Sequence, residues 1–261
     1  MSMPGEIKPI PQGAVLSARG LGKRFGGFNA VSNVDLDVMD RQIHALIGPN
    51  GAGKTTLFNL LTKFHIPTSG KVIFMGRDIT RLSPPEVARA GLVRSFQISA
   101  VYADMTLLEN VRVGLQRKAG LAVQFWRTGS ALRVLDGRAM ELLDTVGLAG
   151  SAHLKASELS YGRKRILEIA ATLALEPRVL LLDEPMAGMG HEDLERVSAL
   201  IADVARSCAV LMVEHNLKVV EHLCDRATVL QRGEILASGS YAEVAADPRV
   251  RSAYMGEEEH G

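Results

Sequence analysis

Gly48-Pro49-Asn50-Gly51-Ala52-Gly53-Lys54-Thr55 sets three glycines ahead of a lysine and a hydroxyl, a spacing that suits phosphate binding. Glycines let a backbone curl until its N–H groups converge on phosphate oxygens. The apolar run Ile43 to Ile47 precedes the loop and a helical pattern from Thr56 to Thr62 follows it, so the positive end of a helix faces the same anion. In this setting Lys54 neutralises the β- and γ-phosphates of a nucleotide and Thr55 offers its hydroxyl to Mg²⁺. A chance match in a chain of this size has a probability on the order of 1%, and the strand and helix around the loop lower it further. Residues 48 to 56, ending at Thr56, form the predicted nucleotide site.

A second group of reactive side chains closes another apolar run. Val179 to Leu182 ends in Asp183-Glu184-Pro185. Alone, two acids before a proline are better read as an exposed turn. Beside a phosphate loop they suit a Mg²⁺ partner, Asp183, reached through water, and a water-activating base, Glu184.

Such groups must be positioned by a rigid frame. Short apolar runs bounded by turns mark buried strands at Ile43 to Ile47, Val72 to Met75, Val179 to Leu182, Ala209 to Val213 and Thr228 to Leu230. Helical patterns between several of them predict an α/β domain with a largely parallel core sheet. Asp104 to Ala174 carries helical patterns and no convincing strand, which predicts an all-helical insertion. Ser83-Pro84-Pro85-Glu86 and Thr106-Leu107-Leu108-Glu109 are capping boxes, with Gly91 closing the first helix. A third helix is expected from Arg133 to Val146, stopping at Gly147, and Ala119 to Ser130 reads equally as a loop or a broken helix.

Of the 261 residues, 47% are hydrophobic and 23% charged, and the net charge is +1, so no basic excess points to nucleic acid. No apolar run reaches the roughly 18 residues of a membrane span. Residues 1 to 13 read as a flexible lead-in to a domain over 14–261, not as a secretory signal, because they hold prolines and no apolar centre. Cys208 and Cys224 lack metal-ligand spacing and read as free thiols in a reducing compartment.

With these pieces in place, almost the whole chain resembles the nucleotide-binding subunits of ABC transporters. Their fold is a P-loop NTPase domain with an inserted helical subdomain, here about 98–174. Gln97, in Arg94-Ser95-Phe96-Gln97, stands at the family's Q-loop glutamine, which contacts Mg²⁺ or the attacking water and reports on the membrane partner. Leu159-Ser160-Tyr161-Gly162-Arg163 matches the family's LSGGQ signature, making Ser160 and Gly162 nucleotide contacts. His215 matches the switch histidine that contacts the γ-phosphate, and Phe25 the aromatic that stacks on adenine. Singly, each residue has a bland reading as a solvated, structural or core side chain. Their order along the chain follows the family, and that joint pattern is specific.

Ser160 also reads as the N-cap of an apolar helix, so its hydroxyl and the helix end form a second anion site. The resemblance implies head-to-tail pairing of two such subunits, with each ATP between one P-loop and the other subunit's signature. Arg163 replaces the signature glutamine, Tyr161 its usual glycine, and Gly190 the aspartate of the family's D-loop. A cation in the first turn opposes the helix dipole, and Gly190 predicts asymmetric coupling with a different ATPase as partner; a homodimer with two equally active sites would count against this.

Within the family, Arg94-Ser95-Phe96-Gln97, Tyr161-Gly162, Ala187-Gly188 and Ala253-Tyr254-Met255-Gly256 resemble the subunits serving bacterial branched-chain amino-acid importers. Relatives that handle other small polar solutes share these features. The expectation is an ATP-hydrolysing subunit, cytoplasmic and peripheral on the inner face of the membrane. Its partners would be permeases, a second ATPase subunit, and indirectly a periplasmic solute-binding protein. The alternatives are a soluble ABC ATPase acting on ribosomes or DNA, and a P-loop small-molecule kinase, which would leave the signature and His215 unexplained.

Overall fold

The computed structural model describes residues 9–95, 101–118 and 134–258. Its strands are β1 (Ala14–Phe25), β2 (Phe28–Met39), β3 (Ile43–Ile47), β4 (Ser69–Phe74), β5 (Arg77–Asp78), β6 (Leu92–Arg94), β7 (Val179–Asp183), β8 (Ala209–Val213), β9 (Arg226–Gln231) and β10 (Glu234–Gly239). The helices are α1 (Lys54–Leu61), α2 (Pro84–Ala90), α3 (Leu107–Lys118), α4 (Asp136–Thr145), α5 (Tyr161–Leu173), α6 (His191–Ala205), α7 (Leu217–Leu223), α8 (Tyr241–Ala246) and α9 (Pro248–Glu258).

The strands separate into two sheets. One has the order β10-β9-β3-β8-β7-β6, parallel except for the β9–β10 hairpin. Its central strands are buried along their whole length, which is why they read as unbroken apolar runs. Period-2 alternation then divides their side chains between two cores. Leu180, Leu182, Val210 and Met212 pack with the helices α3 to α6. Val179, Leu181, Leu211 and Val213 pack with α1 and the second sheet. That second sheet, β2-β1-β4-β5, is antiparallel. The predicted strand near residues 72–75 belongs there, at 69–74, and not to the parallel core.

Among the described residues between β6 and β7, the only extended pairing is the isolated bridge Thr106–Lys155, and the rest is helical or irregular. The helix ends follow the sequence signals. Glu86 accepts from the Ser83 N–H at 2.8 Å, and Gly91 ends α2 in the left-handed region at φ 104°. Glu109 accepts from the Thr106 N–H at 2.8 Å while its own N–H donates to Thr106 Oγ1 at 3.2 Å. The helix predicted over 133–146 occupies 136–145, followed by Gly147 at φ 70°. The whole of the ambiguous 119–130 stretch and Gln97 lie outside the described residues.

Candidate nucleotide and catalytic site

The loop from Gly48 joins β3 to α1, and its glycines meet separate demands. Gly48 sits at φ 147°, and an added Cβ would lie 2.1 Å from the Leu230 carbonyl oxygen. At Gly53, φ 103°, it would lie 2.5 Å from the Ala30 carbonyl. The loop is thus pressed onto the β2 and β9 backbones, and only glycine fits both conformation and space. The Gly233 N–H donates to the Ala52 carbonyl at 2.8 Å, tying the loop to the β9–β10 turn. Lys54 is buried and folds back over the loop, its Nζ donating to the Gly48 carbonyl at 2.5 Å and the Pro49 carbonyl at 2.8 Å. Asn50, Gly51 and Thr55 are exposed, while Pro49 and Thr56 are half-buried.

Parallel strands bring the remaining candidates to the same edge. Leu46 on β3 and Asp183 on β7 both register with Val213 on β8, so the loop, the paired acids and the residues after β8 leave the sheet at one level. Open parallel sheets bind ligands at this carboxyl edge. Burial grades across it: Asp183 is 2% exposed, whereas the side chains of Glu184 and His215 are 29% and 44% exposed. His215 Nε2 lies 2.9 Å from Glu184 Oε1, a contact that an ionised carboxylate accepts only when Nε2 carries a proton. Glu184 holds φ 46°, a left-handed conformation that costs a non-glycine residue about 1–2 kcal/mol.

Two features bear on Mg²⁺. Asp183 Oδ2 is taken by Arg94 at 2.5 Å, while Oδ1 accepts no hydrogen bond among the described residues. No cluster of three or more metal-ligating acids, histidines or cysteines occurs among them. One free carboxylate oxygen and the exposed Thr55 hydroxyl fit Mg²⁺, which takes one or two protein oxygens and completes its shell with phosphate and water.

The signature residues form a separate surface. Ser160 is the N-cap of α5, its hydroxyl accepting from the Arg163 N–H at 3.5 Å. An added Cβ on Gly162 would lie 2.3 Å from the Asp193 carboxyl carbon, so α5 and the first turn of α6 are in close contact. Arg163, out of place by charge, donates instead to Ser151 Oγ at 2.8 Å. Gly190 is the N-cap of α6 and contributes no side-chain oxygen to it. Phe25 ends β1, 44% exposed, with its ring edge-on to His65 at 5.3 Å and Lys23 Nζ 5.0 Å from its centroid.

Several residues at the site were not singled out from the sequence as functional. Arg94 binds Asp183, Arg165 donates to the Asp183 carbonyl at 2.8 Å and to Glu168 at 2.6 Å, and Glu214 is buried beside His215. Burial raises the Glu214 carboxyl pKa, opposed by N–H donors from Asn216, His215 and Met186. The one available signal was the position of Glu214, directly after an all-apolar strand and before the candidate histidine.

Known proteins share this sequence pattern and this fold. The ABC transporter family model matches residues 31–187, and a model described as branched-chain amino acid ATP-binding cassette transporter matches 234–260. The chain belongs to the ABC transporter ATP-binding family, and it is an ATPase of that family. It is 40% identical to the high-affinity branched-chain amino acid transport ATP-binding protein LivG of Escherichia coli K12, over 93% of this chain and 98% of that one. BraF of Pseudomonas aeruginosa, with the same description, is 39% identical over the same shares. Among solved structures, the ADP conformation of the ATP-binding cassette MJ1267 superposes with a TM-score of 0.82 at 29% identity, covering 93% of this chain and 99% of that one. A nucleotide-free ATP-binding cassette gives 0.81 at 28%, covering 92% and 98%.

Proposed function

We propose that this chain hydrolyses Mg²⁺-ATP to energise a membrane importer of branched-chain amino acids or related small polar solutes. The observation that carries the catalytic part is the Glu184–His215 contact at the ends of adjacent strands, one strand away from the phosphate loop. Lys54 exchanges its carbonyl partners for the β- and γ-phosphates, and the N–H groups of 48–55 line the same anion. Phe25 stacks on adenine. Glu184 orients and deprotonates the attacking water, and His215 holds that carboxylate and reaches the γ-phosphate. Asp183, Thr55 and Gln97 hold Mg²⁺, which when bound draws negative charge off the phosphates. Ser160 and Gly162 offer a second phosphate surface to the ATP of a paired subunit.

The substrate class rests on the relatives' descriptions and on the match of 234–260 to a branched-chain amino acid cassette model. No described helix is long and apolar enough to cross a membrane. The likeness to importer ATP-binding proteins supports partner permeases as the transport path. A groove lined by Phe64, Pro85, Arg94, Tyr102, Val113 and Ala171 is suited to an element of such a partner. We place the chain on the cytoplasmic face, paired with a second ATPase subunit and served by a periplasmic binding protein. The test is purification of the tagged chain from detergent-solubilised membranes, with ATPase activity measured on the complex. Two permeases, a second ATPase and solute-stimulated turnover are expected. Recovery with ribosomes or DNA would overturn the importer reading and leave the ATP site standing.

A further inference from the structure

Arg94 is the last residue of β6, and its side chain is only 10% exposed. One guanidinium nitrogen donates to Asn59 Oδ1 on α1 at 2.6 Å, and the other to Asp183 Oδ2 at 2.5 Å. The group lies over the Phe58 ring at 5.6 Å, and its Nε is buried with no hydrogen-bond partner among the described residues. Asn59 and Phe58 therefore hold a full positive charge against the carboxylate assigned above to Mg²⁺, and leave that carboxylate one oxygen.

A cation fixed at hydrogen-bond distance from a metal ligand repels a divalent ion and competes for its lone pairs. Asn59 also limits the competition. While it holds one guanidinium nitrogen, Arg94 can engage Asp183 through the other alone; released, the planar fork can take both carboxylate oxygens. We propose that Arg94 is a positioning residue that weakens divalent-cation binding at Asp183, with Asn59 setting how much. The inference rests on the assignment of Asp183 to the metal. It connects metal affinity to the strand that runs into the Gln97 segment and to the groove that Arg94 lines.

The test measures Mn²⁺ affinity of the full chain by electron paramagnetic resonance, with saturating non-hydrolysable ATP analogue. Affinity for the analogue alone is measured in chelator. Arg94→Gln should bind Mn²⁺ at least tenfold more tightly, and Arg94→Lys, which keeps the charge, should stay within threefold of the parent. Asn59→Leu should bind Mn²⁺ several-fold more weakly. Metal-free analogue affinity should change less than threefold throughout. Opposite signs for Arg94→Gln and Asn59→Leu are the signature, because a packing role for Arg94 would weaken both. If Arg94→Gln does not fold, Asn59→Leu decides, and unchanged or tighter Mn²⁺ binding there overturns the proposal. Asp183→Asn separates the two layers of argument. If it weakens Mn²⁺ while Arg94→Gln leaves it unchanged, the role of Arg94 falls; if it has no effect, the metal assignment falls and takes the inference with it.

Discussion

Lys63 follows the C-cap of α1 at φ 66°, 5% exposed, with its ammonium buried and without a hydrogen-bond partner among the described residues. Burial lowers its pKa from 10.5 to about 8, with Asp78 opposing the shift. At 1.36 kcal/mol per pKa unit, the charged form costs the folded state about 3 kcal/mol at pH 7. Lys63→Met keeps the length of the stem and removes the charge. It should stabilise the protein by about 3 kcal/mol at pH 7, a rise in Tm of roughly 6–12 °C at the scale for large domains. The sign with pH follows from proton counting. Below about 8 both states of the parent are protonated and the cost is fully present. Between about 8 and 10.5 the unfolded chain keeps a proton that the folded one has released, so parent stability gains on the variant as pH rises. The advantage of Lys63→Met should therefore shrink to under about 1 kcal/mol by roughly pH 10. Cys208 and Cys224, raised by burial to about 11 and about 12, lose stability in the same alkaline range in both proteins and cancel in the difference. Urea unfolding of parent and variant at pH 7 and at closely spaced alkaline pH values reads this directly. An unstabilised variant at pH 7, or an advantage that does not change with pH, would rule out a buried charge at Lys63 as a cost to the fold.

Glu184→Gln should retain ATP and lose turnover by at least roughly 100-fold, the usual loss with a general base; rapid hydrolysis would remove Glu184 from that role. Lys54→Ala should abolish tight ATP binding, read by fluorescent-nucleotide titration. Gly48→Ala drives a Cβ to 2.1 Å from the Leu230 carbonyl and should lose both nucleotide affinity and several degrees of Tm; wild-type values for both would contradict the packing described. His44 is buried and neutral, with Nε2 2.8 Å from Thr228 Oγ1 and its pKa lowered by burial, and secondarily by Arg226, to about 3. Its contribution is present above the unfolded value of 6.5 and is lost as pH falls toward about 3, so His44→Gln should flatten the acid limb of stability by several kcal/mol in urea titrations.

What could be read from the sequence is local. The phosphate loop, the strands around it and the helix caps are written in short-range spacing: glycines where backbones meet, apolar runs where both faces are covered, Ser or Thr three residues before Glu. The chemistry of Lys54, Thr55, Asp183 and Glu184 followed from residue type next to those elements, and Gln97, His215, Ser160 and Phe25 from the order of motifs along a known family. The antiparallel sheet was less legible because the pairing of β1 with β2 is broken by register shifts, with Gly20 and Gly22 interrupting the alternation of β1. Tertiary structure alone decided the partnerships. Arg94 is buried against Asp183, 89 positions away, and Glu184 meets His215 across 31. Nothing beside Lys63 in the sequence marks its burial. Whether a charge faces water or a carboxylate depends on which strands become neighbours, and no local pattern of residues carries that.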